Sequence, residues 1–138
     1  DNNFIKEVTV SSNKITTDEY YNSLLAGLQF TSIVRPMPFE PTIRNQQSQG
    51  RVKAVGKIIA RFLNTKGAKI GEEGNHLTNY PTTKTNDITG QAISLVTDSK
   101  RFFTASNWDR EKVIEVKQDL PYPMTLISLS SWLQLEGG

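Results

Sequence analysis

The residues able to do acid–base or metal chemistry are few and scattered. His76 is the only histidine, and the chain has no cysteine, which excludes thiolate and multi-histidine metal sites within one chain. Neighbouring carboxylates stand in polar stretches, where solvated charge is their usual role; they are Asp18 with Glu19, Glu72 with Glu73, and Asp109 with Glu111. No nucleophile elbow and no phosphate-binding loop motif occurs. We therefore expect no catalytic, metal or cofactor-binding residue and no enzymatic activity.

Positive charge, in contrast, is concentrated in one segment. Residues 42–71 carry seven basic and no acidic residues, whereas the rest of the chain holds nine basic and fourteen acidic residues. At a period of two, one face of a strand here carries Arg51, Lys53, Lys57 and Arg61, together with Val55, Ile59 and Leu63. Four cations in this arrangement form a stripe of about 20 Å. Such a stripe can contact nucleic-acid phosphates without reading sequence, although the more common role of this pattern is the solvated side of a strand that packs with its other side.

Periodicity alone leaves the basic stretch open between strand and helix. At a period of 3.6, Val52, Val55 and Ile59 also form an apolar stripe, and Gly67 is a plausible helix stop. The surrounding segments decide for a strand, because they are short, rich in β-branched and aromatic residues, and separated by turn residues. The strands predicted are 4–10, 14–17, 28–34, 50–63, 92–97, 101–105, 112–117 and 124–129, with turns at 11–13 and 98–99.

This pattern predicts a mainly β fold, an antiparallel β-sandwich or barrel-like domain with a long flexible loop. Residues 64–91 contain few apolar side chains and no sustained periodicity, so we expect a mobile loop there. Among the large aromatic residues, Phe102 and Trp132 are expected in the core, whereas Phe103 and Trp108 stay open as core residues or surface anchors for a partner.

Two proline-rich segments are expected to be extended and rigid, because each proline fixes its own φ and restricts the residue before it. Docking of such pre-ordered segments costs less conformational entropy than docking of a flexible loop. The candidate docking residues for a neighbouring subunit are Arg35, Pro36, Pro38, Pro121 and Pro123.

The bulk composition is that of one globular domain. The chain has 138 residues, of which 36% are hydrophobic, and a net charge of +2. No apolar run approaches the roughly 20 residues of a membrane span, so membrane insertion by this segment is not expected. The sequence begins with Asp1 rather than Met, and we expect an excised part of a longer protein.

Four segments, taken in order, carry a resemblance to a known family. They are a Gly-aromatic strand, a proline-rich segment, a basic strand and a final Gln-Asp-Pro strand, and they span residues 27–129. The matching residues are Gly27, Leu28 and Phe30; Arg35, Pro36, Pro38 and Glu40; Gly50, Arg51, Lys53, Lys57, Arg61, Thr65 and Gly67; and Gln118, Asp119, Pro121, Pro123, Thr125 and Leu126. In these segments the chain resembles the C-terminal part of the tail nozzle proteins of short-tailed bacteriophages, also called tail tubular protein B or phage stabilisation protein.

The resemblance implies a structural virion protein assembled in the bacterial cytoplasm. It would form a ring homo-oligomer with other phage tail subunits, at the nozzle or a related hub or collar, and would contribute to the tail conduit for genome ejection. The basic strand would then line a passage for duplex DNA, without reading its sequence, or meet an acidic patch of a neighbouring subunit. The alternative from the residues alone is a stand-alone nucleic-acid-binding β-barrel that uses the basic strand 51–61.

Overall fold

A computed structural model describes residues 7–18, 20, 24, 26–43, 46–73, 77–80, 94–104 and 107–136 of the chain. Nine strands and no helix occur among these residues, which confirms the predicted mainly β fold. The strands are β1 (Ser32–Val34), β2 (Thr42–Ile43), β3 (Gln46–Gln47), β4 (Lys53–Thr65), β5 (Lys69–Glu72), β6 (Thr78–Asn79), β7 (Val96–Phe103), β8 (Ile114–Gln118) and β9 (Thr125–Leu135).

The strands form two main antiparallel sheets and a small β2–β3 pair. One main sheet has the order β1-β8-β5-β6 and the other the order β7-β4-β9. The hydrophobic core draws side chains from both sheets: Val55, Ile58, Ala60, Phe62, Ala68, Ile70, Tyr80, Phe102, Ile114 and Val116. This arrangement is consistent with a β-sandwich, and within the described residues the sheets are not closed into a barrel.

Strand β4 is the central strand of its sheet and pairs with both β7 and β9. Burial alternates strictly between positions 58 and 62, with Ile58, Ala60 and Phe62 buried and the residues between them exposed. The Phe62 ring packs against Tyr80 with centroids 4.8 Å apart. The strand interpretation of 50–63 is therefore confirmed, and the helical alternative is wrong.

A bulge at Gly56 breaks the alternation in the first half of β4. Val55 pairs with Leu133 of β9 but Lys57 pairs with Trp132, so β4 holds one extra residue between these two pairs. As a result Lys53 and Val55 turn inward and are completely buried, whereas Lys57 is only half-buried. The predicted placement of these residues on one face with Arg61 is thus wrong on the N-terminal side of the bulge.

Two further predictions of irregular structure are wrong for the described residues. Residues 64–73 and 77–80 include the end of β4 and the strands β5 and β6, and Ile70 of β5 is buried and pairs with Val116 of β8. Strands of two to four residues are too short to show periodicity in a sequence. The expected turn at 98–99 lies within β7, where Ser99 pairs with Arg61. Residues 74–76 and 81–91, including His76, lie outside the described residues, as does Arg44.

Both main sheets belong to one structural unit, residues 29–82 and 94–138, and residues 1–28 and 83–93 form a second unit. The described part of the second unit contains a tight turn at Ser11–Lys14. Ser11 and Lys14 exchange backbone hydrogen bonds of 3.1 and 2.9 Å, and Ser12 and Asn13 both have positive φ, at 50° and 61°. This is the geometry of a type I′ turn, so the turn predicted at 11–13 is confirmed. The described residues that flank it, 7–10 and 15–17, are not strands.

Candidate functional site

The solvent-exposed face of the three-stranded sheet, here called the outer face, is built from cross-strand rows. Each row takes one residue from β7, one from β4 and one from β9, because paired residues of adjacent strands share a face. The rows are Phe103, Lys57 and Trp132; then Arg101, Ile59 and Ser130; and then Ser99, Arg61 and Ser128. Successive rows lie about 7 Å apart along the strands.

Every one of these three rows contributes one cation to the outer face, namely Lys57, Arg101 and Arg61. None of the nine residues in these rows is acidic. Within the described part of the chain, no carboxylate forms an ion pair with Arg61 or Arg101. The positive charge of these three rows is therefore not neutralised by a residue within them, and the charged rows extend over about 14 Å.

Aromatic rings stand at both ends of the first row. The side chains of Phe103 and Trp132 are 72% and 64% exposed. The Lys57 ammonium lies 4.6 Å from the centre of the Trp132 ring, a cation–π contact. The prediction that Trp132 is a core residue is wrong because the register pairs it with Lys57 on the outer face. The prediction for Phe102 is confirmed, since this side chain is only 2% exposed.

Lys53, predicted as part of the basic stripe, instead holds the proline-rich segment 35–41 against β4. Its side chain is completely buried, and its ammonium lies 2.5 Å from a carboxylate oxygen of Glu40. It also donates a 3.2 Å hydrogen bond to the Phe39 carbonyl. The hydrogen bond from Lys53 is the main cause that lowers the pKa of Glu40, against a smaller opposing effect of desolvation. Lys53 is thus neutralised within the protein and inaccessible to a phosphate.

Arg51 also lies apart from the outer-face cations. It precedes β4 and donates a hydrogen bond of 3.4 Å to the backbone carbonyl of Glu136. Of the four predicted cations, the structure therefore brings only Lys57 and Arg61 together.

The candidate docking residue Arg35 is bound to Glu115 of β8 and to Glu73, which directly follows β5. Its guanidinium lies 2.7 Å from Glu115 and 3.0 Å from Glu73. The hydrogen bond to Glu115 is the first cause of the raised pKa of Arg35, ahead of the opposing desolvation. Pro36 and Pro38 are half-buried. The segment is thereby fixed at Arg35 and at Glu40, and its role in docking stays a prediction.

The second proline segment packs on the connection between β4 and β5. The amide of Gln118 donates to the carbonyls of Lys66 and Tyr122 at 2.7 and 3.1 Å. Gly67 has a φ of +76°, and a Cβ atom there would lie 2.9 Å from a methyl carbon of Leu120. Pro121 and Pro123 themselves are exposed, so their role as docking residues also stays a prediction.

One polar cavity of about 290 Å³ collects carboxylates, from Glu72, Glu73, Asp109 and Glu111. Glu72 forms an ion pair with Lys112 in which both side chains are 5% exposed. The charge of Glu72 is therefore matched within the fold. Over the described ranges, no group of three or more His, Cys, Asp or Glu side chains is arranged to hold a metal ion.

Sequence reasoning missed Arg101 and the two aromatic residues as members of one surface with Lys57. Arg101 and Phe103 lie about forty residues after β4 along the chain, and only the register of β7 on β4 places them beside Ile59 and Lys57. The one local signal was the alternation of Ser99, Arg101 and Phe103 along β7.

Comparison with known proteins adds no family assignment. No protein-family model matches the sequence, and no curated protein matches it significantly. None of the described residues belongs to a helix long and apolar enough to cross a membrane.

Proposed function

We propose that this chain is a structural part of the tail of a short-tailed phage, at the nozzle or hub, and that its outer face contacts duplex DNA without reading sequence. The role is that of a virion component that meets other tail subunits beside the genome passage, and it requires no catalysis. The order of the four segments over residues 27–129 supports this proposal. The alternative of a stand-alone β-barrel is weakened, since the sheets are not closed among the residues that the structure describes.

The observation that carries the proposal is the row pattern of cations on the outer face. Lys57, Arg101 and Arg61 present one positive charge in each of three successive rows, and none of the nine row residues is acidic. Phosphate contacts supply affinity that is independent of sequence. A surface of this kind attracts every part of a DNA duplex regardless of its sequence. This property suits a passage through which the whole genome moves.

Duplex binding by a charge-matched pair of variants tests the proposal. Arg61→Gln/Arg101→Gln removes two cations from the outer face, whereas Lys14→Gln/Arg110→Gln removes two exposed cations elsewhere. Each lost phosphate contact costs roughly eightfold in affinity near 0.1 M salt, so we expect the outer-face variant, which loses two contacts, to bind roughly 60-fold more weakly. Fluorescence anisotropy with a labelled duplex of arbitrary sequence measures the affinities. Equal losses in the two variants would remove the outer face from the proposal.

A further inference from the structure

The first row of the outer face combines features that duplex phosphates do not use. Phe103 and Trp132 flank Lys57 on three adjacent strands, and both rings are mostly exposed to solvent. With strands about 4.8 Å apart, the two β-carbon positions lie about 10 Å from each other. In a duplex, the base faces are hidden by stacking, and the exposed rings have nothing to stack on.

We propose that the outer face also binds single-stranded nucleic acid, with unpaired bases stacked on Phe103 and Trp132. The inference rests on the proposed function to the extent that Lys57, Arg101 and Arg61 hold the phosphates in both cases. Aromatic side chains on a positively charged groove or face are the usual platform for single strands, and the stacking tolerates any base.

The charges of the neighbouring rows fit a strand that runs along the face. From the aromatic row, Arg101 lies one row and Arg61 two rows further, about 7 and 14 Å away. A nucleic-acid strand that crosses the face in this direction meets a cation in every row. Ile59, which is 38% exposed, offers apolar contact between them.

The rows hold three cations and no acidic residue, and this charge favours a nucleic-acid strand over a protein surface of mixed charge. Ser99, Ser128 and Ser130 add hydroxyl groups to the same rows, and hydroxyls are frequent donors to phosphate oxygens. The charge, the hydroxyls and the exposed rings all match the chemistry of one ligand, a flexible polyanion with free aromatic bases.

Lys57 belongs both to the aromatic row and to the set of cations that hold the phosphates. In the free protein its ammonium lies over the Trp132 ring. A phosphate gives this ammonium a stronger, ionic partner. When the ammonium moves from the Trp132 ring to the phosphate, the face of the ring becomes accessible to a base. Binding of a single strand therefore changes the environment of Trp132 directly.

The test compares an oligothymidylate of about 15 nucleotides with a duplex of equal length. Trp108→Phe leaves Trp132 as the only tryptophan, so quenching of the remaining fluorescence reports stacking on this ring. We expect quenching by the single strand. Phe103→Ala and Trp132→Ala should each lower the affinity for the single strand about tenfold and leave the affinity for the duplex unchanged.

Three controls separate stacking from other effects. Trp132→Phe keeps a ring and should retain most of the affinity, whereas Trp108→Ala, at a site outside the outer face, should change nothing. Thermal unfolding of each variant checks that the fold is kept.

The outcomes separate the two proposals. Unchanged single-strand affinity in both alanine variants, or no quenching of Trp132 fluorescence, would overturn the inference. A loss of self-association in Trp132→Ala would also overturn it, because this result would identify a protein interface. If Arg61→Gln/Arg101→Gln still weakens duplex binding in those cases, the proposed function stands alone. If single-strand binding depends on the rings while the duplex does not bind, the inference stands and the proposed function fails.

Discussion

Two neighbouring phenylalanines on β7 test the orientation of the strand on which the outer face depends. Phe102 is 2% exposed, and its ring centre lies 6.3 Å from that of Tyr80, whereas Phe103 is 72% exposed. Successive side chains of a strand point to opposite faces. Replacement of each ring by alanine is therefore the same chemical change made on the two sides of one sheet.

The expected costs differ severalfold. Phe102→Ala removes a ring from a closed core and leaves a cavity, which typically lowers the free energy of unfolding by about 3–5 kcal/mol. Phe103→Ala removes a ring that is already mostly in water, so the expected change is within about 0.5 kcal/mol. For a chain of this size, the loss at Phe102 corresponds to a fall in Tm of roughly 10–20 °C.

Urea unfolding followed by circular dichroism measures both costs in one protocol. The midpoint for Phe102→Ala should fall strongly with an unchanged m-value, while that of Phe103→Ala stays close to the wild type. Phe102→Leu, which keeps most of the volume, should lie between them. Equal destabilisation at the two positions, or a larger cost at Phe103, would refute the assignment of the faces and the outer face with it.

Two further predictions concern ion pairs and backbone. Hydrogen bonds from Lys53 and Lys69 lower the folded-state pKa values of Glu40 and Asp119 below the ordinary values of 4.5 and 3.8. The two ion pairs therefore stabilise the fold above the ordinary pKa values, and this stabilisation is lost as the pH falls through the lower folded-state pKa values. The urea midpoint of the wild type should drop between about pH 6 and about pH 2. A drop of equal steepness in Glu40→Gln/Asp119→Asn would contradict this prediction. Gly67→Ala and Gly50→Ala both place a side chain at positive φ, but only at Gly67 does the new Cβ meet neighbouring atoms. Differential scanning calorimetry should therefore show a larger fall in Tm for Gly67→Ala than for Gly50→Ala. Equal falls in Tm would disprove the clash at Gly67.

The features visible in the sequence were those set by local patterning. The β-branched and aromatic segments predicted β4, and the Ser-Ser-Asn stretch predicted the turn at Ser11–Lys14, because both signals depend on residues close in the chain. The burial of Phe102 was likewise predicted.

The features missed were those set by partners distant in the chain. The bulge at Gly56 inverts the face of every residue before it, and period-two counting has no means to anticipate an extra residue. Burial of Lys53 depends on Glu40, which lies in another segment. The exposure of Trp132 and the place of Arg101 follow from the register of β9 and β7 on β4. The composition of the candidate site was therefore not predictable from the basic stretch alone.

The salt dependence of duplex binding tests most directly whether the outer face contacts DNA phosphates. The affinity of the wild type and of Arg61→Gln/Arg101→Gln is measured from about 50 to about 200 mM salt. With three phosphate contacts, the logarithm of the association constant should fall against the logarithm of salt with a slope of about −2.7, and the variant should show about −0.9. Equal slopes for the two proteins, or a wild-type affinity that does not change with salt, would contradict the account.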